Sequence, residues 1–110
     1  MKLSFVNLSH PKIMAMHHAI ANVFCCDIRS IHSISDTPQK MVAVFILSQF
    51  FAYKPKDIAG SYLISWCYVP TVVKKYTELY AVSENFQKKV MYILNFIELN
   101  YEEDEGRRVA

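Results

Sequence analysis

The sequence predicts an all-α domain, a compact bundle of about five to six helices that contains a helix-turn-helix. The chain has 110 residues, which suits one domain, and 53% of them are hydrophobic. Two glycines and four prolines leave few positions for tight hairpins. We therefore interpret residues 1–110 as a single domain, with a leader (1–8) and a charged tail (102–110) that are expected to be less ordered.

The N-terminal third predicts one helix and a short helical turn. Ser9 can cap the first helix, and Pro11 suits its first turn. Apolar residues then recur at helical spacing until the helix ends near Phe24 to Cys26. A short turn of helix is expected at 27–31, followed by a polar loop at 33–36.

A long apolar helix should follow this loop. Asp36 or Thr37 can cap it, and Pro38 lies in its first turn. Because this helix is apolar on most of its faces, we expect it at the centre of the core.

Three further helices are predicted. A short one spans about 56–63 after Pro55, another spans about 71–80, and the last spans about 84–101 with Ser83 as its cap. The first two of these, joined by an apolar turn, form the helix-turn-helix. In that motif the N-terminal residues of the second helix meet base edges in the major groove of DNA.

Several segments resemble one known family. "IANVFCCDIRSIHS" (20–33) is similar to its "VAxyyxvxxxDLLS" opening, and "MVAVFILSQF" stands where it has "ARQIAMYLxREL", with Lys40 in place of the arginine. "KPKDIAGSY" resembles "SLPEIGxxF", and "PTVVKKYTEL" resembles "TTVLHAxxKI". Over residues 19–97 the chain thus resembles domain IV, the C-terminal DNA-binding domain of the bacterial replication initiator DnaA, in the Trp-repressor-like helix-turn-helix group.

The resemblance implies a non-enzymatic protein of the bacterial or phage cytoplasm that binds double-stranded DNA. Thr71 takes a position that contacts a base or phosphate, Lys74 lies one helical turn further on, and Lys54 and Lys56 fall on the turn that touches the backbone. The residues expected to contact DNA are Lys40, Lys54, Lys56, Pro70, Thr71, Lys74 and Lys75.

The chain departs from the family where bases would be read. Cys67, Tyr68 and Val69 stand where the family signature "GGRDHTTV" has arginine, aspartate and histidine. Apolar side chains can only touch a thymine methyl group or pack. The loop at 33–36 carries no basic residue, and the GxxxxGK[ST] phosphate-binding motif is absent. The family's base recognition is therefore expected to be largely lost.

A protein-interaction or regulatory module on the same scaffold is the alternative prediction. Trp66, Tyr68 and Val69 either pack in the core or, if exposed, form an apolar patch for a protein partner or a second copy of the chain. The exposed side chains distinguish the two functions: an exposed lysine face favours DNA binding, and an exposed aromatic face favours protein binding.

The remaining residues argue against other classes of function. A net charge of +2 means that any basic surface must be local. No nucleophile–base pair or metal-ligand spacing is evident, and we expect no enzyme activity, metal or cofactor. The three cysteines are interpreted as small apolar fillers. No stretch is long and apolar enough to span a membrane, and we expect no membrane partner.

Overall fold

The computed structural model describes residues 6–31 and 33–109, and within these ranges the chain is all-α, as predicted, without strands. Five α-helices and one short 3₁₀ helix make up the described fold. Their bounds are α1 (Pro11–Phe24), the 3₁₀ helix (Ile28–Ile31), α2 (Pro38–Gln49), α3 (Pro55–Tyr62), α4 (Val69–Val82) and α5 (Glu84–Val109).

Proline lies in the first turn of four of these helices. Pro11, Pro38 and Pro55 are the first residues of α1, α2 and α3, and Pro70 is the second residue of α4. The N–H group at such a position has no partner within the helix, so proline loses nothing there, and its fixed φ suits the helix. The prolines therefore place these helix starts within a residue or two.

Hydroxyl groups cap two helices as the sequence predicts. The Thr37 side chain accepts a hydrogen bond from the N–H of Lys40 at 3.3 Å, and the Ser83 Oγ accepts one from the N–H of Phe86 at 3.1 Å. Each bond satisfies an N–H group that the first turn of a helix leaves without a backbone partner.

The predicted cap of α1 was wrong. Ser9 lies one residue too early, and His10 is the N-cap, with its Nδ1 accepting a hydrogen bond from the N–H of Lys12 at 3.1 Å. Pro11 disfavours helical backbone at the residue before it, which is His10, and that residue is extended with φ −64° and ψ 134°.

Helix α2 lies at the centre of the core, as predicted. Its seven consecutive residues 41–47 are all buried. A helix without a solvated face needs neighbours on every side. Here α1, the 3₁₀ helix, α3 and α4 all pack against α2. The positions of α3 and α4 therefore follow from the surface of α2.

An aromatic cluster around Phe45 joins α2 to α4 and α5. The Phe45 ring lies between 5.9 and 6.3 Å from the rings of Phe50, Tyr76, Tyr80 and Phe86, measured between centroids. Tilted and edge-on rings at such distances attract each other beyond the effect of area burial alone. Phe45 itself is almost fully buried.

Helix α5 is longer than predicted. Its backbone is helical to Val109, past the expected end near Tyr101 and through most of the charged tail. Val90, Ile93 and Ile97 are buried at helical spacing, and α1 is its main neighbour. Helix α4 also exceeds its predicted range of 71–80, because both ends continue for two residues.

A short segment before α1 is fixed to α3. Val6 is buried, its N–H donates to the carbonyl of Asp57 at 3.3 Å, and its own carbonyl accepts from the Ser61 hydroxyl at 2.7 Å. The predicted leader thus includes at least one residue packed in the core. Its residues 1–5 lie outside the described part of the chain.

Among the described residues, no helix combines the length and apolarity needed to cross a membrane. At a rise of about 1.5 Å per residue, α5 would be long enough for a bilayer core of about 30 Å. However, Lys88, Lys89 and Glu98 interrupt its apolar positions, and its C-terminal part is highly charged.

Removal of the central ring should strongly destabilise the fold. Phe45→Ala takes away the contacts of four aromatic neighbours and leaves a cavity, so we expect the free energy of unfolding to fall by about 3–5 kcal/mol. Tyr92→Ala serves as control, because Tyr92 is exposed on α5 and outside this cluster. Urea denaturation followed by circular dichroism measures both, and equal losses would contradict the central role of Phe45.

Candidate nucleic-acid interface

Helices α3 and α4 form the predicted helix-turn-helix pair, joined by a turn at 63–68. Ile58 and Tyr62 anchor α3 in the core, and Val72 and Tyr76 anchor α4. Because α2 packs against both helices, their outer faces are held side by side on a rigid base. This turn has six residues, whereas three or four are usual in the motif.

Local hydrogen bonds shape the turn. Leu63 ends α3 in the left-handed conformation, with φ 58° and ψ 45°, and its N–H donates to the carbonyl of Ala59. Ser65 organises the second half, because its carbonyl accepts from the N–H of Tyr68 at 2.9 Å and its hydroxyl accepts from the N–H of Cys67 at 3.3 Å. The turn thus contains a left-handed residue but no glycine.

Four of the predicted lysines are exposed on this motif. Lys54 and Lys56 flank the start of α3, and Lys74 and Lys75 lie in the N-terminal half of α4. Pro70 and Thr71, at the start of α4, are exposed as well. We call Lys54, Lys56, Lys74 and Lys75 the lysine surface.

The lysine surface carries a local positive charge. Its acidic neighbours on the same helices are Asp57, which is half-buried, and Glu78, which is exposed. Four lysines against two carboxylates leave an excess of two positive charges on α3, α4 and the residue before α3. The chain's formal net charge is also +2, so this region holds an excess as large as that of the whole chain.

Lys40 does not belong to this surface, which corrects its predicted place among the DNA contacts. Its side chain is fully buried. The ammonium group donates to the carbonyl of Ser33 at 3.0 Å, to Asp36 Oδ1 at 3.2 Å and to the carbonyl of Leu63 at 3.4 Å. An ammonium group has three N–H donors, and all three are used inside the protein. Lys40 therefore connects the loop at 33–36 to the end of α3.

The predicted partner patch is divided. Trp66 and Tyr68 are exposed by 53% and 45%, whereas Val69 is only 1% exposed and packs in the core as the first residue of α4. Val69 thus cannot contact a partner in this conformation. Leu63 and Cys67 are exposed beside the two aromatic residues.

Tyr76 is a buried residue of α4 whose hydroxyl group has a raised pKa. Burial, and to a smaller extent the nearby phenol of Tyr68, raises the pKa of Tyr76. Its hydroxyl group therefore remains neutral at physiological pH. The Lys75 ammonium lies 5.6 Å from the centre of the Tyr76 ring, within the range of a cation–π contact.

Trp66 and Lys56 form a contact that the sequence analysis missed. The Lys56 Nζ lies 5.3 Å from the centre of the indole ring, across the turn of the helix-turn-helix. The two residues are ten positions apart, so no helical periodicity pairs them. The spacing of Asp36 and Lys40 favours an ion pair but does not reveal the burial of Lys40, because Glu84 and Lys88 have the same spacing on the surface.

The described residues offer no alternative site with metal-ligand chemistry, because no group of three His, Cys, Asp or Glu side chains converges there. Cys25 and Cys67 are exposed, which contradicts their interpretation as buried fillers, and Cys26 is half-buried. His17 is buried on α1, where its Nε2 lies 2.6 Å from the Tyr62 hydroxyl and links α1 to α3.

Comparison with known proteins identifies no relative. No protein-family model matches the chain, and no curated protein or solved structure is significantly similar to it.

The buried position of Lys40 predicts a large effect of its removal. Lys40→Ala leaves two carbonyl groups without their donor and opens a cavity, so the free energy of unfolding should fall by about 3 kcal/mol. Lys88 is the matched control, because it also pairs with a carboxylate four residues earlier, Glu84, but on the surface. Lys88→Ala should stay within about 0.5 kcal/mol of the wild type in urea denaturation. A similar loss in both variants would contradict the structural role of Lys40.

Proposed function

We propose that this protein binds double-stranded DNA through the helix-turn-helix of α3 and α4, as a non-enzymatic protein related in function to DnaA domain IV. The observation that carries the proposal is the lysine surface, which brings four exposed ammonium groups to the two helices of the motif. The resemblance of "KPKDIAGSY" and "PTVVKKYTEL" to the family's motifs supports the same assignment.

In the proposed complex the start of α4 enters the major groove. Pro70 and Thr71 lie at the exposed N-terminal end of that helix, where the helix dipole favours phosphate. The Thr71 hydroxyl group can donate to or accept from a base edge. Lys74 lies one turn further along the same exposed face.

The lysines would hold the phosphate backbone on both sides of this contact. Lys54 and Lys56 flank the start of α3, the usual position for backbone contacts in this motif, and Lys74 and Lys75 extend along α4. Each neutralised phosphate releases counterions, so four contacts give a slope of log affinity against log salt of about −3.6. Binding should therefore be modest and strongly dependent on salt.

Sequence preference should be weak. Trp66, Cys67 and Tyr68 occupy the turn, and of these only the tyrosine hydroxyl and the indole N–H are good hydrogen-bond groups. Lys40 is occupied inside the protein and adds no contact. Phosphate contacts, which do not depend on sequence, thus dominate the proposed interface.

A double substitution on α4 tests the proposal. Lys74→Gln with Lys75→Gln removes two charges from the lysine surface, so the affinity for a labelled random-sequence duplex should fall and the salt slope should become shallower by about 1.8. Fluorescence anisotropy across a range of salt concentrations measures both quantities.

Lys88→Gln with Lys89→Gln is the matched control, because it makes the same change of charge on another helix, α5. This control should keep the wild-type salt slope. Unchanged binding by the α4 variant, or an equal loss in the two variants, would mean that the lysine surface does not bind the duplex.

The alternative, a protein-interaction module, is favoured by the exposure of Trp66 and Tyr68. If these rings bind a second copy of the chain, Trp66→Ala with Tyr68→Ala should convert the self-associated protein into a monomer. Helicity should be unchanged, since both side chains are exposed. Sedimentation velocity measures the association, and a wild-type protein that is monomeric at every concentration would argue against this function.

A further inference from the structure

Beside the lysine surface lies a groove with an exposed tryptophan. Lys54, Pro55, Lys56, Asp57 and Trp66 line it, and its volume is about 390 Å³. Volumes above about 300 Å³ are typical of sites for small organic molecules. The groove runs between the start of α3 and the middle of the turn, and Trp66 is more than half exposed.

Lys56 places a positive charge next to the exposed indole. Its ammonium group lies over the ring, 5.3 Å from the ring centre, and is therefore within reach of a phosphate that flanks a base at Trp66. Lys54 adds a second cation at the rim of the groove. Aromatic side chains interleaved with cations are the combination that binds single-stranded nucleic acid, because bases stack on the rings while the cations hold phosphates.

We propose that the groove at Trp66 binds an unpaired base of single-stranded DNA, with Lys54 and Lys56 holding the flanking phosphates. This inference rests on the proposed function, since the same helix-turn-helix meets nucleic acid in both. It adds a second ligand class to the motif: Lys54 and Lys56, which contact duplex phosphates in the proposed function, would contact the phosphates of an unpaired strand when a base lies against Trp66.

Asp57 distinguishes a base from a phosphate as the occupant of the groove. Asp57 lies in the first turn of α3 and lines the groove together with Lys54, Lys56 and Trp66. A carboxylate repels a phosphate placed beside it, whereas it can accept a hydrogen bond from the N–H group of a base. A neutral base next to Asp57 avoids this repulsion, and phosphates next to Lys54 and Lys56 pair with the two ammonium groups.

The charge of the groove also favours a nucleic acid over a protein partner. Two lysines and one aspartate leave it with an excess positive charge. The cores of protein–protein interfaces are depleted in lysine, and burial of two ammonium groups without partners is costly. A polyanionic strand provides those partners.

Trp66 is the chain's one tryptophan, so its fluorescence reports on this groove alone. The experiment titrates a short single-stranded oligothymidylate into the full-length protein and follows quenching of the indole. Anisotropy of the labelled strand gives the affinity, and a duplex is measured in parallel. We expect saturable quenching by the single strand.

Substitutions at Trp66 separate stacking from apolar contact. Trp66→Leu should weaken single-strand binding about tenfold, since it removes a stacking surface, whereas Trp66→Phe should restore most of the affinity. Tyr92→Leu is the matched control, because it removes an aromatic ring of similar exposure from α5, and it should bind like the wild type. Circular dichroism verifies that each variant is folded.

The outcomes distinguish this inference from the proposed function. Quenching with the expected order of variants supports the groove as a single-strand site, whether or not the duplex also binds. Duplex binding without single-strand binding overturns the inference and leaves the proposed function intact. Single-strand binding that is unchanged in Trp66→Leu, or indole fluorescence that changes with protein concentration alone, overturns the inference, and the last result would mean that a second copy covers Trp66.

Discussion

The burial of α2 on every side is the constraint on which the other helices depend. Residues 41–47 leave this helix no polar face, so α1, α3 and α4 must each cover part of it. Phe45 extends this core to α4 through the ring of Tyr76 and to α5 through the ring of Phe86. As a result, the inner faces of α3 and α4 are determined by packing, and their outer faces are free to carry charge. The exposed lysines lie on these outer faces.

Much of the fold could be predicted because its signals are local. Proline in the first turn and a hydroxyl cap act within a few residues, and they identified the starts of α2 and α5. Element ends depend on contacts that are distant in sequence. The end of α5 was placed too early, because the charged tail suggested fraying while the backbone continues as a helix. The start of α1 was misassigned by one residue, because an imidazole can cap a helix as a hydroxyl group does.

The candidate site was predicted less completely, for a physical reason. Exposure of Lys54 and Lys56 follows from their position around a helix start, which sequence shows directly. The burial of Lys40 depends on backbone carbonyl groups of Ser33 and Leu63, which lie in two other segments. The sequence does not show directly that these carbonyl groups lie close to Lys40 in the fold. The exposure of Trp66 could not be predicted either, because the same apolar residues can form a buried turn or an exposed one. In the structure Val69 is buried, whereas Trp66 and Tyr68 are exposed.

The buried ammonium group of Lys40 also makes two distant segments thermodynamically linked. It binds a carbonyl of the loop at 33–36 and the carbonyl of Leu63, where the turn of the helix-turn-helix begins. The turn cannot shift away from α2 unless this hydrogen bond breaks or the loop follows. A displacement of either segment therefore costs the hydrogen bonds of an ammonium group that has no water to replace them. The loop, which has no basic residue of its own, is thus held to the beginning of the turn through the ammonium group of a residue in α2.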